Sequence, residues 1–208
     1  MEDNLAHTYK RANSYKFLSQ CYYLPNEELV EKVTNFALTE QFFAELQKYI
    51  PPVVTIDSLE IDFTKLFVGP FGLLAPPYGS VYLESKRIMG DSTIDVRKLY
   101  EDEDLEIIIK DAPDHIAMEL EFMYYLIAKE IQSTNEKNLR DIQIYQQKQK
   151  AFLNSHLARW LPEFAKKVQE NAQTGFYKRL TRLTDVFIRR DLKTCASLNN
   201  QQPYPIRG

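Results

Sequence analysis

Behind Ala112-Pro113-Asp114-His115, the apolar residues Ile116, Leu120, Met123, Ile127 and Ile131 recur every three or four positions. That is the period of one helix face, broad enough to meet a core, so a long buried helix is the element around which the chain must pack. Pro113 suits a first helical position because its φ is pre-set and it has no N–H to leave unpaired, while the residue before a proline is pushed out of the α region. The helix is therefore expected to start at Pro113. Asp114 would then lie in the first turn, where the macrodipole and unpaired N–H groups favour a carboxylate, and should stay ionised. His115 and Glu119, four apart, would project from one face as a polar mouth. Plain structural roles fit equally: Asp is common at helix starts, and His often serves as a hydrogen-bonding residue. Spacing alone leaves both readings open.

The other segments share the helical period. Residues 5 to 24 read as a helix with Tyr15, Leu18, Cys21 and Tyr22 on one face, ended by Pro25; Asn26 can cap a second helix carrying Leu29, Val33 and Phe36. A third, about 40 to 50, carries Phe42, Leu46 and Tyr49 and is stopped by Pro51-Pro52. Asp57 and Glu60 have capping-box spacing before Leu59, Phe63, Leu66 and Phe67. Between Gly69 and Gly90 lie four of the six glycines with Pro70, Pro76 and Pro77, so this is the loop-rich region. Within it, Tyr78 to Glu84 allows a short helical turn showing the rings of Tyr78 and Tyr82 on one side, by core packing or as a binding wall. Thr93 can cap a helix using Val96, Leu99 and Tyr100.

An acidic segment ending in Ile107-Ile108-Ile109 reads as a linker, after which the long helix follows. Residues 132 to 141 are loop-like, 142 to 161 are helical, Pro162 starts another helix, and a last long helix follows Gly175. Its cations read as a solvated face rather than a nucleic-acid patch. With no alternating strands, the fold class is all-α: one helical domain over 1–198, in halves of about 1–100 and 112–198 joined by a hinge at about 101–111, with a flexible tail at 199–208. A hinge there invites exchange of halves between protomers, hence a homodimer.

The chain has 208 residues, enough to bury roughly 70% of its unfolded surface without a covalent staple. A net charge of -3 gives no reason to expect nucleic acid or an anionic membrane as partner. Cys21 and Cys195 stand in no metal-like spacing, which points to a reducing compartment. No run approaches a membrane span and no secretory signal opens the chain, so a cytoplasmic protein without stable membrane insertion is expected. Phosphate loops, GxGxxG, HExxH, GxSxG and Glu-x-x-His are all missing from the sequence, and His7, His115 and His156 are scattered. No catalytic or metal-ligating residue and no cofactor is assigned. An aromatic, Gly/Pro-rich loop before a mouth carrying Asp and His suits peptide capture.

Six segments occur in the order found in the TorD/DmsD/NarJ family of molybdoenzyme chaperones. They are Phe63-Thr64-Lys65-Leu66-Phe67-Val68-Gly69-Pro70, Pro76-Pro77-Tyr78-Gly79-Ser80-Val81-Tyr82-Leu83-Glu84, Gly90-Asp91-Ser92-Thr93, Pro113-Asp114-His115 with Glu119, Phe122 and Met123, and Phe152-Leu153 with His156, Leu157 and Trp160; Phe176-Tyr177 closes the set. The chain resembles that family over roughly 60 to 190, closest to its TorD/DmsD branch. The resemblance implies a non-enzymatic cytoplasmic chaperone that binds the twin-arginine signal peptide and the body of an apo-oxidoreductase. Such a chaperone assists cofactor insertion and prevents premature export. The positions matching the family's peptide-binding region are Tyr78, Val81, Tyr82, Gly90, Pro113, Asp114 and His115; Tyr78 and Tyr82 stand where DmsD-like members tend to have Trp. An assembly chaperone for a non-exported oxidoreductase subunit is the alternative. A nucleotide-binding protein is a further one, against which the missing phosphate loop argues.

Overall fold

The long buried helix is α6, Ile116–Asn135, and its apolar stripe lies entirely inside: Ile116, Leu120, Met123 and Ile127 are fully buried. The structure, a computed structural model, describes residues 2–49, 55–69, 72–84, 88–106 and 112–198. The expected Pro51-Pro52 stop, the Ile107–Ile109 linker and the 199–208 tail lie outside the described residues.

Nine α-helices are present among the described residues, with no strand. α1 (Glu2–Cys21) packs along α6, and α7 (Leu139–Ser155) returns beside α6 after a short turn. α8 (Leu157–Asn171) and α9 (Gly175–Leu198) form the next hairpin, with α7 touching both. α2 (Glu27–Thr39) is followed by a 3-10 stretch, Gln41–Tyr49, which packs on α2 and α9. α3 (Ile56–Phe63) runs into one π-helical turn, Thr64–Val68. The short α4 (Gly79–Leu83) touches both α5 (Asp91–Glu101) and α8.

Trp160, Tyr15, Tyr22, Tyr177, Phe43 and Phe164 are among the bulkiest fully buried side chains. Each removes enough apolar surface from water to contribute roughly 2–3 kcal/mol. Two buried polar ties join distant parts of the chain. Arg11 on α1 donates from Nε to Asp191 Oδ1 on α9 at 2.6 Å and from Nη2 to Gln149 Oε1 on α7 at 3.0 Å. Asp62 on α3 accepts from the N–H groups of Gln173 and Thr174 and from the Thr174 hydroxyl, at 2.6–3.2 Å, just ahead of α9.

Several helix boundaries differ from the sequence reading. α6 starts at Ile116 rather than Pro113, because His115 Nδ1 accepts the Ala117 N–H at 3.1 Å and so caps the helix itself. Asp114 therefore precedes the helix. Asn26 caps α2 as expected, accepting from Leu29 N–H. α3 is capped by Thr55, with Asp57 in its first turn. Thr93 is a buried residue inside α5, whose cap position is Gly90. The polar region after α6 shrinks to a turn at 136–138, and the next break falls at His156. Pro162 lies within α8, beyond the first turn that would tolerate it freely.

Candidate peptide-binding site

The loop before α4 and the loop before α6 lie side by side as an isolated antiparallel bridge between Tyr78 and His115. Ile116 N–H donates to Pro77 C=O at 2.8 Å and Gly79 N–H donates to Asp114 C=O at 2.9 Å. The Asp114 carboxylate adds a third link, accepting the Ser80 N–H at Oδ2 over 2.7 Å. Tyr78 occupies the cap position of α4 without a side-chain cap bond, so Asp114, 34 residues beyond Ser80, caps α4 in its place. Pro113 C=O accepts the Tyr100 hydroxyl at 2.9 Å, which ties α5 to the same junction.

His115 is buried between two tyrosines. Tyr78 meets its ring edge-on at 5.3 Å, and Tyr23, from the end of α1, lies nearly parallel at 6.4 Å. Because Nδ1 accepts a backbone N–H, a neutral His115 must carry its proton on Nε2. Tyr82 stacks on Trp160 at 5.7 Å and donates its hydroxyl to Pro76 C=O at 2.8 Å. The two rings expected to form one wall therefore rest on different supports, His115 and Trp160. Tyr78, Val81 and Tyr82 are half-buried, whereas Pro113, Asp114 and His115 are buried. Asp114 is 0% exposed, not a carboxylate at an open mouth, because it is used between two loops.

Gly90 sits at the other end of α4. The carboxylate of Glu84, the C-cap residue of α4, accepts from Asp91 N–H at 2.8 Å and Ser92 N–H at 2.5 Å, and so caps α5. A Cβ on Gly90 would lie 1.7 Å from Glu84 Oε2, so the absence of a side chain there lets this carboxylate close on α5.

Beneath the junction lies a buried polar group that spacing did not reveal. Ser80 Oγ, Thr93 Oγ1, Asp114 Oδ1, Glu119 Oε1 and His156 Nδ1 are buried without a hydrogen-bond partner among the described residues. Burial holds the Glu119 carboxyl well above the usual carboxylate range against the Trp160 N–H bond, and the Asp114 carboxylate adds to the rise. Burial also lowers the His156 pKa, with Asp95 opposing. Tyr23 was missed because it is some ninety residues away in sequence and nothing in its local pattern marks it. Glu119 and Trp160 were visible as motif positions, though not as partners. Among the described residues no cluster of His, Cys, Asp or Glu is arranged to hold a metal ion, and no helix is long and apolar enough to cross a membrane.

Comparison with known proteins shows the family of this all-helical chain. The family model described as nitrate reductase delta subunit matches residues 37–166, and the chain belongs to that family. It is similar to the chaperone protein TorD of Vibrio parahaemolyticus, 29% identical over 137 residues that make up 64% of this chain and 62% of the relative. The TorD of Aliivibrio salmonicida is 31% identical over 142 residues, 67% and 65% of the two chains. Both matches span less than two thirds of those relatives. The TorD of Photobacterium profundum is 26% identical over 211 residues, covering 92% of this chain and 96% of its own. A solved structure described as a redox enzyme maturation protein, from Archaeoglobus fulgidus, shares the fold with a TM-score of 0.55 at 24% identity, over 86% of this chain and 93% of that one. The family resemblance drawn from the ordered motifs is thus borne out, as is the all-α fold.

Proposed function

We propose that this chain is a cytoplasmic, non-enzymatic chaperone that captures the N-terminal twin-arginine segment of an apo-molybdoenzyme or related oxidoreductase at the α4–α6 junction. The observation that carries this reading is the lip itself: Tyr78 stands half-exposed against the buried His115, with Val81 and Tyr82 half-exposed on the α4 that Asp114 caps. Charge supports it. From Asp91 to Glu106, α5 and the turn after it carry seven carboxylates against only Arg97 and Lys98, and α5 packs on α4. Such an excess steers a cationic peptide towards the junction. Exposed Val68, Leu74, Ile88, Met89 and Ile94, in the segments before and after α4, offer apolar contact to the stretch that follows an arginine pair. Asp114 Oδ1, which has no partner among the described residues, is the acceptor offered to a guanidinium when the lip at Tyr78 parts. Gly90 contributes by keeping α4 and α5 together.

The single tryptophan, Trp160, stacks on Tyr82 and reports on α4. Titrating a synthetic peptide with an Arg-Arg pair before an apolar stretch should change Trp160 emission saturably, and the Lys-Lys version should bind at least several-fold more weakly. Equal binding of both would remove the arginine reading. It would favour the alternative, an assembly chaperone for a non-exported oxidoreductase subunit. Failure of either peptide to bind would overturn capture at this site.

A further inference from the structure

α1, the 3-10 stretch and α9 border a half-open cavity of about 170 Å³ that shares no residue with the α4–α6 junction. Phe42, Phe43 and Phe187 line it, their centroids 4.9–6.3 Å apart. Phe43 is buried, but Phe42 and Phe187 are only half-buried despite lying on inward-facing helical stripes. Apolar cavities of about 150 Å³ admit a benzene ring, so one ring or a branched alkyl group fits here and a run of peptide does not.

The charged lining selects the rest of the ligand. Lys10 pairs with Glu40 across the rim at 3.5 Å, and Arg11 pairs at the base with Asp191 at 2.6 Å and with the buried Glu130 at 3.8 Å. Arg190, also in the lining, is exposed and has no ion-pair partner among the described residues. Arg190 is therefore the lining cation left for a ligand, and a single cation matches a monoanion better than a dianion. Its planar fork of donors suits a carboxylate, and His7 on the same lining can donate to the same group. We propose that this cavity is a binding site for a small hydrophobic carboxylate, its apolar body against Phe42 and Phe187 and its carboxylate on Arg190. Occupancy would brace α1 against α9.

The test is titration of the full chain with 3-phenylpropionate, followed by protein NMR shifts and by thermal unfolding, with 3-phenylpropanol as the neutral control. The acid should saturate in the millimolar range expected for a fragment of its size and raise the melting midpoint. The alcohol should bind about fivefold more weakly, as should the acid to Arg190→Gln, whose exposed position leaves the fold intact. Phe187→Leu, which keeps an apolar side chain, should weaken both probes, whereas Asp114→Asn should change neither and so separates this site from the peptide site. Lack of saturation at tens of millimolar, equal affinity for acid and alcohol, or insensitivity to Arg190→Gln would each overturn the proposal.

Discussion

The indole N–H of Trp160 on α8 donates to Glu119 Oε2 on α6 at 3.2 Å, with both side chains fully buried. A carboxyl in this position resists ionisation, since burial outweighs the one donor it has and Asp114 adds a like charge. Glu119 should stay protonated in the folded chain well above the unfolded value of about 4.3. Between those two values the folded state holds more protons than the unfolded state, so stability falls as pH rises, by on the order of 1 kcal/mol per unit at most. Glu119→Gln imitates the protonated acid without this loss. Its melting midpoint, compared with wild type, should shift in the variant's favour between pH 5 and pH 8. A difference that stays flat across that range would mean Glu119 is already ionised in the folded protein.

Gly90 and Glu84 should act as a unit. Gly90→Ala has no backbone strain to overcome, because φ at Gly90 is -92°, but it drives the Glu84 carboxylate off the N–H groups of Asp91 and Ser92. The expected cost is about 1–2 kcal/mol. In a Glu84→Ala background those bonds are already gone, so the same substitution should cost much less. Denaturant melts of the double-mutant cycle measure this, and simple additivity would refute the coupling.

Arg11 is the most exacting buried charge, held by Asp191 and Gln149. Arg11→Met strands the Asp191 carboxylate, which is 4% exposed, and should cost about 3–5 kcal/mol. Arg11 also pairs with the buried Glu130 at 3.8 Å, so Arg11→Met with Asp191→Leu removes one of the two stranded carboxylates and should recover only part of that loss. Chemical unfolding of wild type and the two variants decides; a double variant no better than the single one would show that packing or Glu130, rather than the Asp191 pair, sets the cost.

Asp114→Asn separates holding the junction from receiving a guanidinium. Asn can still accept the Ser80 N–H, so thermal stability should change by no more than about 1 kcal/mol. Loss of the charge should weaken the Arg-Arg peptide about tenfold. Unchanged affinity in a stable variant would limit Asp114 to capping α4.

The helical period of the sequence was sufficient for the all-α class, for the burial of Ile116, Leu120, Met123 and Ile127, and for Asn26 as the cap of α2, because each depends on residues within one or two turns. Motif order also marked the region of Tyr78, Val81, Tyr82, Gly90, Pro113, Asp114 and His115. How those residues are used was decided by the tertiary structure. α4 takes its cap from Asp114, α5 from the Glu84 side chain, and the entry to α9 is held by Asp62, each acceptor lying outside the helix it serves. A carboxylate read locally as a first-turn residue, as Asp114 was, gives no sign that a loop from elsewhere will bury it. Likewise Tyr23 on His115, and Trp160 between Tyr82 and Glu119, are brought together by helix packing. Local pattern fixes which face of a segment is apolar; only packing sets which distant backbone N–H or ring a polar side chain will meet, since those partners approach after the helices dock.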